Sequence, residues 1–187
     1  MDPLVPAFVA VLLAGCTDRP ALLAAVLADR HGAQAVWPGA VLALAAGFAL
    51  SAVGGVVIAP HLTPNARGLL LALGLLSAGG AALWPPRGFD RLEGWRLPGA
   101  LKALFGTLIL MLGDRSQFLV FALVARNPEP WLGAIGGTLA GAVPVVAATL
   151  LGERSWTRLP RRAIGIVAGS LLLVVGAVTG LGALRLL

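Results

Sequence analysis

Six apolar stretches follow one another along this chain with little between them, a pattern that no fold in water accommodates. They run from Leu4 to Leu27, Trp37 to Ala59, Gly68 to Trp84, Pro98 to Ala125, Trp131 to Leu151 and Ala163 to Leu184. Each is near the roughly 20 residues that an α-helix needs to cross a bilayer. Hydrophobic residues make up 58% of the 187 and charged residues 12%, more apolar surface than an aqueous core of this size can bury. The sequence therefore predicts an all-α integral membrane protein of six transmembrane helices, with the lipid bilayer as its first partner. No stretch is left for a soluble catalytic domain. With no His/Cys metal spacing, phosphate loop or paired catalytic carboxylates in view, the chain reads as a non-enzyme without a resident cofactor.

The net charge of +6 does not point to nucleic acid, because the basic residues sit in loops rather than along one face. The loops after the first, third and fifth stretches hold Arg30, then Arg87, Arg91, Arg96 and Lys102, then Arg154, Arg158, Arg161 and Arg162. The other side has only Arg67, Arg126 and Arg185. The excess of basic residues on cytoplasmic loops then predicts a central loop in the cytoplasm and both termini outside, in a bacterial inner membrane. Trp37, Trp84 and Trp131 at stretch ends, with Trp95 and Trp156 in loops, fit an interfacial belt. Cys16 is the single cysteine, so no intrachain disulfide forms. Leu13-Ala14-Gly15-Cys16 has the look of a lipoprotein cleavage site, but Met1-Asp2-Pro3 lacks the basic start of a signal peptide, so the stretch reads as a membrane helix.

The chain repeats itself. A shift of 96 positions pairs Asp18 with Asp114, Arg19 with Arg115, Leu23 with Leu119, Leu27 with Leu123 and Arg30 with Arg126. After a two-residue slip, Trp37 pairs with Trp131, Gly39 with Gly133 and Gly47 with Gly141, and Pro64 and Pro160 then precede the third helix of each half. Residues 1–84 and 98–187 thus read as two three-helix repeats joined by a cytoplasmic linker, 85–97. An odd helix count inverts the second copy, the architecture of secondary transporters whose sites lie near the midplane between repeats. Glycines in the second, fifth and sixth stretches read as packing positions.

The paired motifs carry the chemistry. Thr17-Asp18-Arg19-Pro20 and Gly113-Asp114-Arg115-Ser116-Gln117 put charge where lipid should be, and such residues face a cavity or a partner. On a continuous helix Met111, Asp114 and Gln117 share one face, as do Gly15 and Asp18. Pro20 and Pro144 free the carbonyls of Cys16 and Ala140. Carboxylates, hydroxyls, an amide and loose carbonyls make a hard oxygen set, suited to magnesium, calcium or manganese. His31 and His61 at helix ends, and Asp29, Glu129 and Glu153 in loops, read as ordinary interfacial groups.

At these residues the chain resembles the GDT family of membrane proteins, which exchange manganese or calcium for protons in the Golgi, chloroplasts and bacteria and belong to the lysine-exporter superfamily. The family's mark is a duplicated Glu-x-Gly-Asp-(Lys/Arg)-(Thr/Ser), often followed by Gln. The second copy here is Met111-Leu112-Gly113-Asp114-Arg115-Ser116-Gln117 and the first is Gly15-Cys16-Thr17-Asp18-Arg19-Pro20. The resemblance implies a cation:proton antiporter working by alternating access. Asp18 and Asp114 would bind the metal and the competing proton, supported by Thr17, Arg19, Gly113, Arg115, Ser116 and Gln117. Gly15 and Met111 stand where the family has glutamates. Alternatives are a lysine-exporter-like carrier of a small organic solute and a non-transporting scaffold, in which Asp18 and Asp114 merely pair with Arg115 and Arg19. A homo-oligomer is compatible with either reading.

Overall fold

Proline, glycine and aspartate set the helix boundaries. The computed structural model describes residues 3–15, 19–84, 91–92, 94–127 and 129–185, and the regular structure among them is helical throughout. The helices are α1 (Leu4–Gly15), α2 (Arg19–His31), α3 (Ala33–Ile58), α4 (Pro64–Leu83), α5 (Gly99–Met111), α6 (Arg115–Arg126), α7 (Pro130–Arg158) and α8 (Arg161–Ala183), with a 3-10 turn at Ala59–His61. Pro64 opens α4, and the Thr63 hydroxyl accepts from Ala66 N at 3.3 Å, a cap that satisfies one of the free N–H groups of the first turn. Pro160 likewise stands just before α8.

Four helical segments, α3 with its 3-10 extension, α4, α7 and α8, are long and apolar enough to cross a membrane. The other two apolar runs are not continuous helices, as the sequence alone suggests. Each is a bent pair: α1 and α2 meet at 66°, α5 and α6 at 67°, giving up to six spans if each pair is one. The reason in the second pair is local. Aspartate offers its carboxylate to backbone N–H groups and glycine tolerates a left-handed turn, so Gly113-Asp114 competes with helix continuation. Pro20 lies at the second position of α2, where its missing N–H costs little.

The bent pair of each half packs on the long helix of the other: α1 and α2 on α7, α5 and α6 on α3. The long helices α3 and α7 also pack together, as do α4 and α8. Phe48, Met111, Val120, Val124 and Val145 are fully buried at the centre. The outward faces stay apolar, with Leu150 72% and Val174 62% exposed; a surface of that kind belongs against lipid. Two crossings are close. Gly39 of α3 lies against the Ala100 carbonyl of α5, and Gly136 of α7 against the Leu4 carbonyl of α1, with no space for a side chain in either place. Gly39→Ala is expected to destabilise by about 1–2 kcal/mol, since a methyl there meets backbone that cannot swing away. Thermal unfolding in detergent checks it.

The loops divide between two ends. At one end Arg91 pairs with Glu153 at 2.8 Å, and Arg30 donates to the Arg91 carbonyl at 3.4 Å. At the other, Arg67 donates to the carbonyls of Ala59 and Leu62 at 2.6 and 3.2 Å, and Arg67 and Arg126 line one pocket. Three sequence readings are corrected here. Asp29 is no idle loop charge: its carboxylate accepts from Glu153 N at 3.0 Å, capping the turn after a break in α7 at Gly152. Glu153 is likewise engaged, by Arg91. Trp156 lies not in a loop but in the short helical stretch that follows the Gly152 break, 6% exposed and packed in the core.

Candidate functional site

The break between α5 and α6 builds the site. Met111 ends α5, and Gly113 turns the backbone with φ +76°, a conformation that an L side chain adopts only at a cost. Asp114 N then donates back to the Met111 carbonyl at 2.8 Å. Asp114 is the N-cap of α6, and its Oδ2 accepts from Ser116 N at 3.0 Å. No described residue bonds its Oδ1. The continuous helix expected through Met111, Asp114 and Gln117 is therefore replaced by a turn, yet the three stay close: Met111 and Gln117 both lie against Gly47, and Asp114 shares a cavity with Met111 and a groove with Gln117. A side chain added at Gly113 meets nothing within 4 Å. Gly113→Ala then costs only the left-handed strain, about 1–2 kcal/mol, read as a lower unfolding temperature with the protein still assembled.

Arg115 and Gln117 tie the turn to the other half of the chain. The Arg115 guanidinium donates to the Ala14 carbonyl at 3.1 Å, serving one of the last carbonyls of α1, which have no partner within their own helix. The Gln117 amide donates to the Gly47 carbonyl at 3.1 Å, an oxygen that also accepts from Ser51 Oγ at 3.0 Å. Ser116 is buried. Arg19, half-buried at the start of α2, makes no ion pair with Asp114 among the described residues. Thr17 and Asp18 lie outside the described residues.

Two spaces meet at Asp114. One is a small, partly open cavity of about 20 Å³ bordered by Gly15, Pro20, Met111, Asp114, Ser116 and Pro144, room for a single water-sized guest. The other is an open groove of about 520 Å³ bordered by Ser51, Ser77, Gly113, Asp114, Arg115 and Gln117, with the stacked rings of Phe118 and Phe121. Asp114 thus borders both a water-sized cavity and a larger open groove. The two positions where the resemblance puts glutamates, Gly15 and Met111, border the same cavity. Among the described residues no three His, Cys, Asp or Glu side chains gather as a metal cage.

Sequence reasoning passed over Ser51, Ser77 and the Gly47 carbonyl. Ser51 is the single hydroxyl of α3 and Ser77 the single hydroxyl of α4. An isolated hydroxyl in an apolar span was the available signal.

A helical membrane bundle whose broken spans meet at a half-buried carboxylate has the build of a transporter of small ions. The chain belongs to the GDT1 family: it matches the family described as divalent cation/proton antiporter GDT1 over residues 3–88 and 99–186. It is also 30% identical over 185 residues to a Vibrio cholerae serotype O1 protein named "Putative manganese exporter", covering 96% of this chain and 90% of that one. No solved structure matches it.

Proposed function

We propose that this chain exchanges a divalent cation, manganese among them, for protons by alternating access, with Asp114 and Asp18 as the groups that hold the metal in one state and protons in the other. The observation that carries this reading is the position of Asp114, on a helix break between a water-sized cavity and an open groove. A carboxylate that binds either a divalent ion or a proton couples their movements, because the two compete for one site. Ser116, Gln117, Gly113 and Arg115 hold the break in shape, and Arg19 and Thr17 are the supporting residues of the first motif by their place in the repeat. The missing Asp114–Arg19 pair also speaks against a purely structural role for that carboxylate.

The architecture of this reading is two inverted repeats, 1–84 and 98–187, joined by 85–97. It is supported by the recurrence of bent pair, long helix and straight helix in each half, and by the reciprocal packing of each bent pair on the other half's long helix. The two family matches also fall one in each half. The excess of basic residues in the loops with Arg30, Arg91 and Arg158 supports an orientation with that end in the cytoplasm of a bacterial cell and both termini outside. Single cysteines at Arg91 and Arg158, in a Cys16→Ser background, should be shielded from an impermeant thiol reagent in intact cells.

Growth tests the function. Cells lacking their own manganese exporter should tolerate more manganese when they make this chain, with no change in tolerance to a lysine analogue. Equal sensitivity to manganese with and without the protein, at confirmed membrane levels, would count against the reading.

A further inference from the structure

We propose that Asp29, Glu153 and Arg91 form a latch that closes one end of the ion path by holding α2 to α7, and that an ion passes between that end and Asp114 only when the latch is parted. This deepens the antiport reading and rests on it.

α2 belongs to the first half of the chain and α7 to the second, and the two pack side by side. Both border the small cavity at Asp114, through Pro20 and Pro144. From Pro20 to Asp29 is nine residues and from Pro144 to Gly152 eight, so at about 1.5 Å per residue both helices reach the latch about 12–14 Å from the cavity. Between lie buried side chains of a single core cluster, Ala24 and Leu27 of α2 with Val145 and Ala148 of α7. No ion crosses such a seam while it stays packed, because apolar side chains offer it no ligands.

The latch is built across the end of the seam. The Asp29 carboxylate accepts from Glu153 N at 3.0 Å, and a Cβ on Gly152 would sit 2.5 Å from its Oδ1. Glu153 in turn holds Arg91 of the linker at 2.8 Å, and the Arg91 carbonyl accepts from Arg30, the neighbour of Asp29. Leu92 seats the linker: it is buried and lies against Gly106 of α5. Side chains as exposed as Arg91 and Glu153 make weak pairs. A weak closure suits a device that must open in every cycle, and Pro144, which removes a helical hydrogen bond, gives α7 a place to bend. At the opposite end the contacts differ. Arg67 spends its bonds on carbonyls of its own half, and a pocket of about 530 Å³ is bordered by Arg67 of one half and Arg126 of the other.

The test locks the latch in the full-length protein. In a Cys16→Ser background, the pair Asp29→Cys and Gly152→Cys places two thiols close to disulfide spacing, since a Cβ at 152 falls 3.4 Å from Asp29 Cγ. In vesicles, oxidation should slow manganese exchange about 10-fold or more, and a reductant should restore it. Equal rates in the crosslinked and the reduced protein overturn the proposal. If the cysteine pair fails to fold or to crosslink, a reporter decides: Ala148→Cys, buried in the seam, should react with a small thiol reagent about 5-fold faster once Asp29→Ala and Arg91→Ala release the latch. Unchanged reactivity overturns the proposal as well. A parent that exchanges no manganese overturns the antiport reading, and the reactivity at residue 148 then still decides whether the two helices part there.

Discussion

Asp114→Asn abolishes divalent flux, by at least about 100-fold, while the protein keeps its level in the membrane and its unfolding temperature. The two halves of that expectation come from different roles of one side chain. Asparagine is as good an N-cap as aspartate, so the bond from Ser116 N to the side-chain oxygen at 3.0 Å survives and α6 still starts at Arg115. The amide, however, neither takes a proton nor carries the charge that holds a divalent ion. Loss of such a ligand falls on the transport step and not on the fold. Asp114→Ala, which removes the cap as well, should add about 1 kcal/mol of destabilisation. Asp18→Asn is expected to follow Asp114→Asn. If the carboxylate served only to neutralise a neighbouring arginine, membrane level would fall in step with flux.

Met111→Glu changes the site in the opposite direction. The substitution exchanges side chains of similar length at a fully buried position on the wall of the cavity that Asp114 borders. It adds a second carboxylate where one now stands among the described residues. Affinity at oxygen sites follows ligand charge, so calcium binding should rise roughly 100-fold. Gly15 borders the same cavity, but a space of about 20 Å³ does not take a second long side chain. Gly15→Glu therefore adds overpacking of about 1–3 kcal/mol, and the single variant is the cleaner probe. A well-folded Met111→Glu protein with unchanged calcium affinity, measured by calorimetry beside the parent, would show that no ion sits next to residue 111. Without an ion the added carboxylate is a buried charge lacking a partner, and folding itself should suffer.

The helical class was legible in the apolar runs because length and hydropathy alone decide whether a segment belongs in a bilayer. The breaks were not. Gly113-Asp114 announces a polar interruption, but a 67° bend depends on whether the aspartate caps a new helix or lies along an old one, and both patterns have the same sequence. The consequence was local. Residues 111, 114 and 117 share one face by helical spacing, whereas in the structure a turn brings them together, with Met111 and Gln117 both against Gly47 and Asp114 bordering the small cavity and the groove. Asp29 and Trp156 were misread for a different reason: their partners, Glu153 N and the core against α7, are distant in the chain. The site carboxylate was found from sequence because a charge in an apolar span is costly wherever the helix ends. Ser51 and Ser77 were missed because a lone hydroxyl is cheap there.

The most direct test of the account is exchange by the purified protein in vesicles with an acidic interior and a trapped pH indicator. Manganese added outside should enter, and the lumen should become more alkaline in step with it, both dependent on the proton gradient and both absent with Asp114→Asn. Manganese uptake that proceeds at the same rate without a pH gradient and leaves the luminal pH unchanged, or a parent protein no faster than Asp114→Asn, would contradict it.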